Sequence, residues 1–154
     1  MAKFCTKKRV TPKKIVVVMA PFDIFISSSH EEFWKFNVVV MVDVDREGRH
    51  IQLFKERIDV APVGSFINEP PVGYKPRDFR FHTDPANVVT IYIYLIPHTL
   101  PRTRDLEAVE PVELRVEALF NDSPLYAHTF EISPWSGDNI EIELIEPGYG
   151  GHNL

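Results

Sequence analysis

The chain has 154 residues, 44% of them hydrophobic and 25% charged, with a net charge of −5. That composition describes one globular domain able to bury a core without disulfides or metal, and it excludes a disordered chain. Without 18 consecutive apolar residues, a secretory leader or a second cysteine to pair with Cys5, neither a membrane span nor export is expected, and a cytoplasmic, reducing setting fits.

The chain opens on a basic arm. Residues 1–14 carry Lys3, Lys7, Lys8, Arg9, Lys13 and Lys14 and no acid. The rest of the chain holds 11 basic and 22 acidic side chains, so a +6 arm precedes a −11 body. Charge split in this way is the pattern of an interaction tail. The competing reading is a terminus that is simply solvated. Ile15–Met19 and Phe22–Ile26 then read as short strands. Ser29-His30-Glu31-Glu32 has the capping-box spacing, Ser followed three residues later by Glu, and predicts a short helical turn through Trp34 and Lys35.

Strand patterns dominate from there. Phe36, Val38, Val40, Val42 and Val44 occupy alternate positions and define one buried face. Asp45-Arg46-Glu47-Gly48 is a turn, and the next strand begins near His50. Its apolar phase changes between Leu53 and Phe54, which predicts a β-bulge or bend there. Pro62, Pro70, Pro71 and Pro76 make residues 61–77 a long loop, either functional or a crossover between sheets. Asp78–Phe81 is a further short strand.

Val88–Ile96 is apolar or aromatic in both phases, as in a central strand covered on both sides. A second Pro-rich connection, residues 97–111, follows, with a short helical turn expected over Thr103–Val109. Val112, Leu114, Val116, Ala118 and Phe120 alternate with Glu113, Arg115 and Glu117, giving one buried and one wet face. After the turn Asn121-Asp122-Ser123-Pro124, the phase of Tyr126, His128, Phe130 and Ile132 reads as apolar. That places His128 as a part-buried core histidine with a hydrogen-bond partner. Ile140, Ile142 and Leu144 close the pattern against Glu141 and Glu143.

Eight or nine strands with one or two helical turns predict an all-β, two-sheet antiparallel sandwich. The expected organisation is a flexible arm over 1–14, the sandwich over 15–146 and a flexible tail over 147–154. The strand pattern resembles immunoglobulin-like and transthyretin-like sandwiches, although the Cys–Trp–Cys signature of antibody domains is missing. A likeness this broad implies the fold and no activity.

Chemistry-bearing motifs are sparse. Asp43, Asp45 and Gly48 match positions 1, 3 and 6 of a calcium loop, with Glu47 at position 5, so Asp43, Asp45 and Glu47 are the candidate metal ligands. Asp84 or Asp122 could join them at one end of a sandwich. Phe54 at position 12 and the nearby Arg46 and Arg49 favour a solvated hairpin end instead. His82-Thr83-Asp84 can set an imidazole beside a carboxylate, the basis of a hydrolase alternative. No Gly-x-Ser-x-Gly elbow, phosphate-binding loop or paired-histidine motif occurs. No cofactor is expected. The acidic body disfavours nucleic acid.

Glu113, Glu117, Glu131, Glu141 and Glu143 fall on three successive strands and would form one negative surface if those strands were neighbours. The expected function is a non-enzymatic protein-interaction or structural module. It would act in a larger assembly or by self-association, with the basic arm as its contact.

Overall fold

Strand alternation of this kind buries one phase and wets the other, and it builds two sheets here. In the computed structural model, which describes residues 19–29, 31–99, 104–105 and 109–148, eight strands form two four-stranded antiparallel sheets. They are β1 (Phe22–Ser27), β2 (Phe36–Arg46), β3 (Arg49–Ile58), β4 (Phe79–His82), β5 (Val88–Pro97), β6 (Val112–Phe120), β7 (Ser123–Ile132) and β8 (Asp138–Ile145). Sheet I has the order β4-β1-β6-β7, and sheet II the order β3-β2-β5-β8. The expected sandwich is therefore the observed architecture. The basic arm, nearly all of the Ile15–Met19 segment, most of the Thr103–Val109 turn and residues 149–154 lie outside the described residues.

The core lies between the sheets. Sheet II contributes Phe36 to Val44 in alternate positions, then Val89, Ile91, Ile93, Leu95, Ile140, Ile142 and Leu144. Sheet I answers with Phe22, Ile24, Ile26, Phe79, Phe81, Val112, Leu114, Val116 and Ile132. Each such side chain stabilises the fold by about 1.5–3 kcal/mol relative to exposure.

Two hairpins are closed by two-residue turns with positive φ at both central residues, at Glu47 (53°) and Gly48 (83°) and at Asn121 (51°) and Asp122 (63°). This mirror-image turn matches the right-handed twist of the flanking strands. The predicted irregularity of β3 is present. Val42 pairs with Phe54 and Asp43 with Gln52, which leaves Leu53 as the extra residue of a bulge.

The capping box at Ser29 does not form. The only helical segment among the described residues is a 3₁₀ turn, Phe33–Lys35, capped by Glu32 without a side-chain cap bond. With β2 starting at Phe36 and Trp34 buried, one turn is all the chain has room for.

Both Pro-rich loops are crossovers. Residues 59–78 carry the chain from β3 in sheet II to β4 in sheet I, and residues 98–111 from β5 to β6. One buried side chain and one backbone carbonyl pin the first. Asn37 Nδ2 donates to Ala61 O at 2.7 Å, and Asn37 Oδ1 accepts from Val60 N at 2.7 Å and Ala61 N at 3.2 Å. The His98 carbonyl accepts from Gly64 N and Ser65 N. Gly137, at φ +67°, sits where a Cβ would lie 2.0 Å from Leu95 O, so no other residue fits that turn.

Candidate functional site

The outward face of sheet II is the most distinctive surface. Register fixes which side chains stand in each cross-strand row. One row reads Arg57, Val39, Tyr94, Asn139 from β3 to β8, and the next reads Lys55, Met41, Tyr92, Glu141. A third reads Gln52, Asp43, Thr90, Glu143. The two central strands thus present Val39, Met41, Tyr92 and Tyr94, all half-buried, with Ile96 beyond them 40% exposed. Cations stand along the β3 edge and carboxylates along the β8 edge. Burial, and after it the charges of Glu141 and Asp43, raise the Tyr92 phenol above its usual range. The apolar outer phase of β5 was expected to be covered, yet no described element lies over it.

Sheet I presents a different outward face. Asp23 Oδ1 and His82 Nδ1 lie 2.6 Å apart across β1 and β4. Arg115 Nε donates to Glu117 Oε2 at 3.1 Å, and its Nη1 donates to Thr129 Oγ1 at 3.0 Å. The Arg80 guanidinium stands 5.5 Å from the centre of the Phe25 ring. Here every cation has a partner.

His82 therefore takes its carboxylate from a neighbouring strand and not from Asp84. Asp23 raises the imidazole pKa first through the hydrogen bond, then through its charge, and the more distant charges of Asp84 and Asp122 push weakly the same way. Thr83 points inward and accepts from Phe22 N at 3.0 Å. A carboxylate–imidazole pair can orient a general base, but a base needs a held substrate within hydrogen-bond reach. This pair stands on an open sheet face, with the His82 side chain 66% exposed.

The three candidate metal ligands face different partners. Asp43 Oδ2 lies 3.0 Å from His50 Nε2. Asp45 Oδ1 accepts from Gly48 N at 2.9 Å and shapes the hairpin turn. Glu47 is exposed, and its backbone N donates to Asn87 Oδ1 at 3.0 Å. Asp84 does reach this end of the sandwich, but Arg46 occupies the space beside it. Arg46 Nε donates to Pro85 O at 2.7 Å, and Nη2 lies 3.9 Å from Asp84 Oδ2. Among the described residues no group of three or more His, Cys, Asp or Glu side chains is placed to hold a metal ion.

Two expectations need correction. The single negative surface does not form, because β8 belongs to sheet II while β6 and β7 belong to sheet I. Glu113 and Glu131 do stand directly opposite one another on β6 and β7. His128 is exposed and packs edge-on against Phe130 at 4.5 Å. Strand β7 is at the sheet edge, so its inner phase overhangs the core instead of sealing it.

Among the described residues the buried histidine is His98, which no motif marks. Its Nε2–H donates to Trp34 O at 2.7 Å, and its Nδ1 accepts from Thr99 Oγ1 at 2.9 Å. A carbonyl can only accept, which fixes the proton on Nε2.

A cavity of about 350 Å³ lies between the Phe33–Val38 and Ile58–Val60 segments and the loop from Pro71 to Lys75. Phe33, Phe36, Ile58, Val60 and Tyr74 give it apolar walls. Arg77 at its rim is bonded to Glu56 and stacks 5.4 Å from the Phe79 ring centre, so its charge is already engaged.

The sequence readings missed the Asp23–His82 pair and the row structure of sheet II, since both depend on strand adjacency. The signal available for the second was the aromatic outer phase Tyr92 and Tyr94. The basic arm, Lys3 to Lys14, lies outside the described residues. Among the described residues no helix is long and apolar enough to cross a membrane. The chain matches no family model, no curated protein and no solved structure.

Proposed function

We propose that this chain is a non-enzymatic protein-interaction module, of the broad immunoglobulin-like or transthyretin-like kind, that serves as a component of a larger assembly. The observation that carries the reading is the apolar strip Val39, Met41, Tyr92, Tyr94 and Ile96 on the outward face of sheet II. Contiguous apolar surface rimmed by charge marks interaction sites on folded domains, and Tyr and Met are enriched in such contacts. The arm bearing Lys3, Lys7, Lys8, Arg9, Lys13 and Lys14 supplies a second, electrostatic contact that speeds encounter with an acidic surface.

Affinity capture from the source cell's lysate tests the reading, with captured proteins identified by mass spectrometry. Three baits are compared: the full chain, a chain lacking residues 1–14, and Met41→Lys. The full chain is expected to retain a defined protein, its own copies included, that Met41→Lys loses. Removing the arm is expected to weaken capture and to reduce its sensitivity to salt. Identical capture by all three baits, or capture by none, removes the reading.

A further inference from the structure

We infer that the partner of the sheet II face is a second copy of this chain, the two faces stacking about a two-fold axis that runs parallel to the strands. The inference rests on the interaction reading above and names its partner.

The argument is one of self-complementarity. A two-fold contact brings the same patch of both copies together, so the patch must complement its own rotated image. Rotation about an axis along the strands, placed between β2 and β5, keeps each row level and reverses its order across the sheet. Strand β3 of one copy then lies over β8 of the other, and β2 over β5. In the second row, Lys55 meets the partner copy's Glu141 and Met41 meets its Tyr92, each contact occurring twice. In the first row, Val39 meets Tyr94. In the third, Gln52 meets Glu143. In the second row cation falls on carboxylate at both edges and apolar on aromatic at the centre, while Arg57 meets Asn139 in the first row and Asp43 meets Thr90 in the third, so no like charges oppose one another.

The other in-plane axis, perpendicular to the strands, fails on the same rows. It sets the β3 edge on itself, Lys55 and Arg57 over Lys55 and Arg57, and the carboxylates of β8 over one another. Only one of the two stackings is attractive. Arg57 is also held by Asp59 at 2.9 Å along its own edge, so Lys55 carries most of the specificity on that side.

Size is adequate. Four strands about 4.8 Å apart and eight paired positions rising about 3.3 Å each make a face of roughly 500 Å². Two such faces bury about 1,000 Å² in total, the minimum for a biological interface and the size of a weak, reversible one. Sheets stacked with strands aligned within about 30° are a standard packing, so the axis asks for no unusual geometry.

Sedimentation equilibrium on the full chain tests this. The wild type is expected to be a dimer at micromolar concentration. Two charge-reversed chains are then made, Lys55→Glu with Arg57→Glu, and Glu141→Lys with Glu143→Lys. Each is expected to associate with itself at least about a hundredfold more weakly, since like charges now face each other at both edges. Mixed together they are expected to form a heterodimer, because acidic β3 and β8 edges then oppose basic ones. Circular dichroism checks that each variant folds. If both fail, Tyr94→Ser, which leaves the charges in place, is expected to weaken the dimer as well.

A wild type that stays monomeric at 100-fold higher concentration overturns the second-copy inference. That result leaves the interaction reading standing, which fails separately if Met41→Lys captures what the wild type does. A dimer that survives both reversals, or that is lost only when residues 1–14 are removed, also overturns the inference.

Discussion

The two outward faces of the sandwich come from the same kind of alternating strand and end in different states. On sheet I the outer phase carries Asp23, Arg80, His82, Arg115, Glu117 and Thr129, joined to one another or to a ring across the strands. That surface is largely finished: its cations are paired, its one large ring, Phe25, lies beneath a guanidinium, and among its described residues only Glu113 and Glu131 face each other as like charges. On sheet II the outer phase of the central strands is Val39, Met41, Tyr92 and Tyr94 over two rows, with Asp43 and Thr90 in the next and the cations and the other carboxylates at the two edges. Strand propensity favours aromatic and β-branched residues wherever a strand is packed, so a strand rich in them on both phases signals cover on both sides. The inner cover is sheet I. The outer cover has to come from elsewhere, and this is the difference on which the proposed function stands.

The largest expected effect separates the inner and outer phases of β5. Ile91→Ala removes a fully buried side chain and is expected to cost about 2–5 kcal/mol of unfolding free energy. Tyr92→Ser, one residue on but facing outward, is expected to cost less than about 1 kcal/mol in the monomer. Urea unfolding at a concentration that keeps the chain monomeric reads both. Equal costs would mean that the outer phase is packed within one chain, and the contrast between the faces would fall.

Asn37 is expected to come next. It shares the outward phase of β2 but is buried, and it satisfies three backbone groups of the first crossover. Asn37→Ala leaves those groups unpaired, with an expected loss of about 2–3 kcal/mol. Amide hydrogen exchange at Val60 and Ala61 should quicken with it. A neutral result would show that the crossover is held by the His98 contacts alone.

A smaller effect of opposite sign is expected on sheet I. Glu131 faces Glu113 directly, a like-charge pair, and Glu131→Lys is expected to raise stability by about 0.2–1 kcal/mol, an increment that added salt diminishes. Loss of stability on this substitution would show that Glu131 has a favourable role and that sheet I is less finished than its pairs suggest.

His82 gives a pH signature of the same face. Its folded pKa is raised above the ordinary 6.5 by the hydrogen bond and charge of Asp23. Protonation therefore favours the folded state. The contribution is fully present below pH 6.5 and fades as pH rises through the folded pKa. The imidazole resonance followed by NMR should titrate above 6.5 in the wild type and move back towards 6.5 in Asp23→Asn. An unmoved midpoint would dissociate the two side chains in solution.

The smallest expected effect is none. Asp43 and Asp45 turn to His50 and Gly48, and Arg46 stands beside Asp84, so calcium against chelator is expected to leave the melting temperature unchanged. A stabilising shift, which saturating calcium would make about 2.7 kcal/mol at 100 times the dissociation constant, would identify the aspartates as ligands.

Much of the fold was legible residue by residue. The buried phase of β2, the turn at Glu47-Gly48, the slip at Leu53 and the crossovers each follow from local pattern, because pleat period and turn conformation are short-range properties. The capping box and the buried reading of His128 were legible and misleading. In both, the local signal was overridden by place: β2 begins too soon after Ser29 for a helix, and β7 lies at an edge.

What the sequence determined by itself is therefore the class, the phase of the strands that alternate cleanly and the charge split between arm and body. These depend on neighbours within a few residues or on composition. Which strands lie side by side was decided only by the tertiary structure. Adjacency separated β8 from β6 and β7, paired His82 with Asp23 in place of Asp84, and set Lys55, Met41, Tyr92 and Glu141 in one row. The physical reason is that a strand's pattern states which face it buries and is silent on which edge it pairs, since backbone hydrogen bonds are alike along every edge.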